Sequence, residues 1–188
     1  MLKYRKKEIL IIIFILSFAL VATYYIYYKF KDSRDLKYDS DTLDVIYHEK
    51  SGDKVDITKI TPVTDSVGLS SKTYSFTIKN NTNTSLRYSI SILDDMDEVI
   101  SDQCEDKQIP KNLIRLSIHG EGEQNNIYTL SDLVNGKVLS RIIKANQEKE
   151  YTMRFWISKD TTLLSGTNLH YHGKIEVKDE GTEVAVNY

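Results

Sequence analysis

Two histidines separated by one residue are the clearest candidates for chemistry in this sequence. His170 and His172 lie in the stretch NLHYHGKIEVK. Because alternate side chains of a β-strand point to one face, both imidazoles could reach one metal ion, with Glu176 farther along that face. Lys174 lies between them, and its positive charge opposes a metal. We therefore predict two exposed histidines, no metal and no other cofactor. The alternative is a surface enzyme or metal-dependent protein with a site of loops around His170 and His172.

A run of acidic residues is the second candidate. Residues 94–106 read DDMDEVISDQCED and contain seven Asp or Glu. Oxygen-rich loops bind calcium, but this one lacks the regular Asp spacing and the glycine of a calcium-binding loop. We therefore predict a solvated loop. The run also contains Cys104, the single cysteine of the chain, which cannot form an internal disulfide. Its acidic neighbours oppose the thiolate that a catalytic cysteine needs.

Other catalytic patterns are missing from the sequence. It contains no serine in a glycine-rich elbow and no phosphate-binding glycine loop, and it has eight glycines in all. We therefore predict no catalytic residue and a protein that is not an enzyme.

The single tryptophan is the residue for which we predict a role in binding. In the stretch YTMRFWIS, residues 151–158, strand alternation assigns every second side chain to the interior: Tyr151, Met153, Phe155 and Ile157. Trp156 then points outward beside Arg154. Because Trp and Arg are enriched among interface hot spots, these two residues form our candidate interaction surface. The alternative is that residues 159–167 fold back over the ring.

The chemistry-bearing residues lie in a series of short alternating segments. Residues 73–79 and 85–93 alternate around an Asn-rich loop, and residues 137–144 and 151–158 alternate around ANQEKE, so we predict two β-hairpins. Residues 168–178 alternate as well, and shorter candidates are residues 43–49, 53–60, 112–120 and 183–188. Residues 130–136 are expected to form one helical turn. This pattern predicts an antiparallel, immunoglobulin-like β-sandwich.

A long apolar segment precedes these strands. Residues 9–28 contain no charge, and as a helix they would span about 30 Å, the thickness of the hydrocarbon core of a bilayer. A cleaved signal peptide has a shorter apolar run and small residues at the cut, whereas four tyrosines follow here. We predict a retained transmembrane helix at residues 9–28, a tail at 1–8, a juxtamembrane stalk at 29–41 and a β-sandwich ectodomain at 42–188. A cleaved signal is the alternative.

Charge is distributed unevenly along the chain. Residues 1–37 carry eight Lys or Arg and three acids, whereas the rest carries 17 basic and 24 acidic residues. A nucleic-acid-binding domain needs a basic surface, so we predict no nucleic-acid partner. Lys and Arg flank the apolar segment equally on both sides, but the N-terminal four lie in a tail of eight residues. We predict a cytoplasmic N-terminus and an extracellular C-terminal domain.

Several stretches resemble a known group of proteins. These are YSFTIKNNTNTSLRYSISILDD, IPKNLIRLSI, EYTMRFWIS and GKIEVK, which follow the N-terminal apolar segment. Together they are similar to small membrane-anchored β-sandwich ectodomains of low-GC Gram-positive bacteria, over most of residues 70–178. The resemblance implies the fold and export, but no functional residue. We therefore expect a single-pass plasma-membrane protein that contacts lipid through residues 9–28 and a protein partner at the cell surface, in adhesion, assembly or support of another surface protein.

Overall fold

The computed structural model describes residues 14–24, 36–39, 42–58, 61–101, 107–120, 126–161 and 168–182. The chain is divided into two compact units, Met1–Arg34 and Asp35–Tyr188. In the first unit, residues 14–24 form helix α1. Among the described residues, no helix combines the length and the apolar composition needed to cross a bilayer. The predicted span, residues 9–28, extends beyond α1 into residues 9–13 and 25–28, which lie outside the described part.

The second unit is built mainly from strands, with short helices between them. Its helices are α2 (Asp65–Gly68) and α3 (Met96–Ser101), and single 3-10 turns occur at Lys111–Leu113, Leu130–Asp132 and Val134–Gly136. The strands are β1 (Leu36–Asp39), β2 (Leu43–Tyr47), β3 (Lys54–Ile57), β4 (Thr73–Asn80), β5 (Leu86–Asp94), β6 (Ile114–Gly120), β7 (Asn126–Thr129), β8 (Lys137–Ile143), β9 (Glu148–Ile157) and β10 (Tyr171–Thr182).

Two antiparallel sheets form the sandwich. The six-stranded sheet has the order β1-β2-β4-β9-β6-β7, and the four-stranded sheet has the order β3-β10-β5-β8. Their inner faces share one hydrophobic core. Polar contacts also link the sheets: the hydroxyls of Tyr88 and Tyr151 lie 2.5 Å apart, and the Tyr47 hydroxyl donates to the Ile175 carbonyl at 2.9 Å. The predicted mainly-β, two-sheet class is therefore confirmed.

Strand alternation predicted the buried faces correctly. Along β4, Tyr74, Phe76 and Ile78 are buried and the side chains between them are only partly buried. Along β9, the four side chains assigned to the interior are all buried. A shift of one residue would bring the polar set into the core, so this apolar set holds both strands in register.

The two predicted hairpins are wrong. β4 pairs with β2 and β9, whereas β5 pairs with β10 and β8, so residues 81–85 cross from one sheet to the other. The link between β8 and β9 crosses in the same way. We call these two crossings the arches. An arch and a hairpin both join two strands that are each buried on one face, so the same alternation is compatible with either.

The sandwich also begins earlier than predicted. β1 pairs with β2 in the register Leu36↔Tyr47 to Asp39↔Asp44, although residues 36–39 were assigned to the stalk. The expected strands at residues 43–49, 53–60 and 112–120 correspond to β2, β3 and β6. The two 3-10 turns between residues 130 and 136 match the helical turn predicted there. The candidate strand at residues 183–188 lies outside the described residues.

Candidate functional site

Trp156 lies on the outer face of the six-stranded sheet, as the alternation predicted. It pairs with Arg115 of β6, while its neighbours Phe155 and Ile157 belong to the core between the sheets. Its side chain is nevertheless only 4% exposed. The prediction that the ring forms part of an exposed contact surface is therefore wrong, and the alternative of a covered ring holds.

Helix α2 forms the cover over Trp156. The indole Nε1 donates to Asp65 Oδ1 at 3.0 Å. Gly68 lies so close to the ring that a Cβ atom at this position would overlap it. The segment before α2 is held beside the end of β9, because Val63 N–H donates to the Ile157 carbonyl at 2.9 Å. Within the described residues, the cover thus comes from residues that precede β4. Most of the segment predicted to provide it, residues 159–167, lies outside the described part of the chain, at residues 162–167.

Arg154 is half-buried on the same face of β9. The register places it between Thr73 of β4 and Ser117 of β6. Its Nε atom is buried and makes no hydrogen bond to any described residue. Because Trp156 is covered, it cannot share an exposed contact surface with Arg154. A contact role for Arg154 alone stays a prediction.

The environment of Trp156 can be tested by fluorescence, because this is the single tryptophan. We expect a blue-shifted emission that iodide quenches weakly. Gly68→Val should shift the emission to longer wavelength and increase quenching, because the new side chain displaces the ring from α2. The control is Val67→Ala, since the neighbouring Val67 is 56% exposed and should leave both signals unchanged. Long-wavelength, easily quenched emission from the unaltered protein would contradict the covered ring.

His170 and His172 lie close together, as predicted, but not in the predicted environment. Their ring centroids are 6.0 Å apart. His172 is 4% exposed, so the expectation that both histidines are solvent-exposed is wrong. Its Nδ1 atom shares a hydrogen bond of 2.9 Å with Asp56 Oδ1, from the paired strand β3.

The first residues of the acidic run lie beside these histidines. Asp95 N–H donates to the His172 carbonyl at 3.0 Å, and α3, which follows, contacts β10. Lys54 of β3 forms an ion pair with Glu98 and lies 4.0 Å from Asp95. The hydrogen bond to Glu98 raises the pKa of Lys54. The structure thus joins two sequence features that were predicted separately, and it supplies a cation between the acids.

The polar residues that connect α3 with β3 and β10 have the composition of a structural contact. Lys54 compensates the carboxylates of Asp95 and Glu98, and a cation at this place opposes the binding of a metal ion. Within the described ranges, no three His, Cys, Asp or Glu side chains are grouped as metal ligands. Residues 102–106, with Cys104, lie outside the described part of the chain.

A lateral cleft between the sheets is a feature that the sequence analysis did not predict. It encloses about 530 Å³ between β2 and the second half of β10, where Leu43, Val45, Ile175 and Val177 contribute apolar walls. Charged side chains form its rim: Asp53, Lys174, Glu176, Lys178 and Asp179. Strand length was the available signal, because the strand predicted at residues 168–178 is longer than the strand predicted at residues 53–60, which the structure places beside it.

The chain was also compared with models of protein families, with curated proteins and with solved structures, and none of the three comparisons found a match.

Proposed function

We propose that this protein is a membrane-anchored interaction module whose β-sandwich lies outside the cell and contacts another protein there, without catalysis. The observation that carries the anchor is the surface of α1. Phe14, Leu16, Phe18 and Leu20 are each between 59% and 72% exposed. A helix that exposes large apolar side chains on all sides is suited to the hydrocarbon core of a bilayer, because these side chains do not contact water there.

The form of the sandwich supports a binding role. We infer an immunoglobulin-like arrangement, in which the pairs β4–β9 and β5–β10 correspond to strands B–E and C–F. β2 beside β4 corresponds to strand A, and β3 occupies the edge next to β10 where the last strand of an immunoglobulin domain lies. Such sandwiches recur in cell-surface proteins that act by contact, and the fold by itself specifies no chemistry.

The charge pattern supports the orientation. The tail at residues 1–8 carries Lys3, Arg5, Lys6 and Lys7, which favours retention on the cytoplasmic side. The acidic remainder of the chain fits an extracellular domain with a protein partner and no nucleic-acid partner. The resemblance to anchored Gram-positive ectodomains points the same way.

Membrane topology gives the direct test. We expect a chain carrying a C-terminal tag to be extracted from membranes at its full mass, 21.7 kDa plus the tag, and to lose the tag when protease is added to intact cells. The control Leu16→Arg/Leu20→Arg should abolish membrane retention, because each arginine at the centre of a span costs about 3 kcal/mol on insertion scales. A tag that resists protease until the cells are lysed would overturn the proposed orientation.

A further inference from the structure

Arg154 is a half-buried cation that has no acidic partner among the described residues. Its Nε atom is buried and makes no hydrogen bond within that part of the chain. No described carboxylate forms an ion pair with its guanidinium group, although residues 38–188 carry 24 acidic and 17 basic residues. Removing part of a charged group from water without a partner costs free energy. Arg154 is therefore suited to a partner from outside the chain.

The neighbours of Arg154 on the outer face of the six-stranded sheet leave its charge uncompensated. The strand registers place six described side chains directly or diagonally beside it or next to it along β9, and none of the six is acidic: Thr73, Ser75, Arg115, Ser117, His119 and Thr152. Asp65 of α2 also reaches this face, but it accepts a hydrogen bond from the Trp156 indole. The surroundings of Arg154 are thus hydroxyl-bearing or basic.

Arg115 supplies a second guanidinium group on the same face. It pairs with Trp156 in the register of β6 and β9, so it lies diagonally to Arg154. Diagonal positions on neighbouring strands are about 7–8 Å apart. The guanidinium group of Arg115 contacts the neutral hydroxyl of Thr129 and, within the described residues, forms no ion pair with an acid. We call Arg154 and Arg115 the arginine pair.

The spacing of the arginine pair matches an extended acidic peptide. Residues two apart in an extended chain point to one side and lie about 6.5–7 Å from each other. Each carboxylate can accept two parallel hydrogen bonds from the fork of one guanidinium group. A single phosphate group is bound best where several donors converge on one point, whereas the sheet holds these two side chains on separate strands. The arrangement therefore favours two carboxylates over one phosphate.

We propose that the arginine pair, Arg154 and Arg115, binds an extended acidic segment of a protein partner that carries Asp or Glu at every second position. The site lies on the outer face of the six-stranded sheet. It does not include the ring of Trp156, which α2 covers. This inference rests on the proposed function, because it states the chemistry of the protein partner expected there.

Peptide binding to the full chain in non-ionic detergent micelles tests the site. The probe is a fluorescently labelled peptide, Thr-Glu-Thr-Glu-Thr, and the measurement is its fluorescence polarisation at low salt. We expect Gln in place of both glutamates to weaken binding at least about tenfold, because the charge-assisted bonds are lost. Arg154→Gln and Arg115→Gln should each weaken binding about tenfold as well. Arg154→Lys keeps the charge without the fork and should restore only part of the affinity.

The matched control is Arg141→Gln. Arg141 is exposed on β8, in the four-stranded sheet. It carries the same charge, so its replacement should leave peptide binding unchanged if the arginine pair is the site. An equal loss of binding in this variant would show a general effect of net charge and would contradict the proposal.

Stability separates a binding role of Arg154 from a structural role. Arg154→Met keeps an unbranched side chain and removes the buried Nε atom that lacks a partner. We expect the midpoint of chemical denaturation to be unchanged or higher, while peptide binding is lost. A lower midpoint with unchanged peptide binding would show that Arg154 serves the fold, and the proposal would be wrong.

Three further outcomes would overturn the site. They are equal binding of the glutamate and glutamine peptides, no binding of either peptide, and displacement of the glutamate peptide by inorganic phosphate at concentrations below that of the peptide. The last outcome would assign the arginine pair to a phosphate-bearing ligand. Loss of membrane retention would refute the proposed anchor and leave peptide binding unaffected, so the two proposals fail separately.

Discussion

Replacing Asn80 with alanine will lower the free energy of unfolding by about 3 kcal/mol or more. Asn80 is fully buried at the point where the arches meet. Its Nδ2 group donates to the carbonyls of Thr84, Ile143 and Lys144, at 2.7, 3.3 and 3.0 Å. Its Oδ1 atom accepts from the backbone N–H of Thr82 at 2.9 Å. Alanine would remove all of these bonds at once, although the Thr84 carbonyl keeps another bond, from the Thr82 hydroxyl at 3.0 Å.

Two further variants make the Asn80 result specific. Asn83→Ala alters an exposed residue of the same arch and should change stability by less than about 0.5 kcal/mol. Asn80→Asp keeps the acceptor for Thr82 but brings a carboxylate oxygen against three carbonyls, so it should cost at least as much as alanine. Denaturation of the full chain in micelles, followed by Trp156 fluorescence, measures all three. A loss below about 1 kcal/mol for Asn80→Ala would show that the side chain does not join the arches.

Gly136→Ala is expected to have an effect of similar size for a different reason. Gly136 has φ of 71°, a conformation that costs an L-residue about 1–2 kcal/mol. A Cβ atom at this position would also overlap the carbonyl oxygen of Ile92 in β5. That oxygen belongs to a central strand of the four-stranded sheet and cannot move independently. We expect a total loss of about 3 kcal/mol or more, measured as for Asn80.

Gly181→Ala is the matched control for Gly136. Gly181 also has positive φ, at 104°, but no atom lies within 4 Å of the position of its Cβ. This variant should therefore show the backbone strain alone, about 1–2 kcal/mol. The difference between the two variants measures the overlap with Ile92. Equal losses would mean that the turn before β8 does not press against β5.

The sequence by itself determined most of the strands, although not β1 or β7, and it determined which side of β4 and β9 faces the core. Apolar side chains at every second position can be buried only if they share a face, so the buried sets of β4 and β9 follow from their spacing. The outward direction of Trp156 follows from the same rule. The nearness of His170 and His172 has the same origin, since residues two apart lie on one face of a strand.

Which strands become neighbours was decided by the tertiary structure. Alternation states which face is buried but not whether the next strand lies beside it or across the core. Asn80 connects the two arches, because its bonds to Ile143 and Lys144 join residues more than 60 positions apart. Its sequence context, NNTNT, is compatible with a simple turn as well, so the local pattern could not reveal this role.

Whether a side chain on the outer face of a sheet is covered also depended on contacts between distant residues. α2 covers Trp156 and α3 lies beside His172, although both helices are too short for a helical period to show in the sequence. A side chain that points away from the core can therefore still be buried, as Trp156 and His172 are. The lateral cleft beside β10 likewise arises only in the assembled sheet, because β3 pairs with the first part of β10 and this pairing stops at Lys174. Spacing along the chain determines the direction of a side chain, and the packing of distant segments determines whether solvent reaches it.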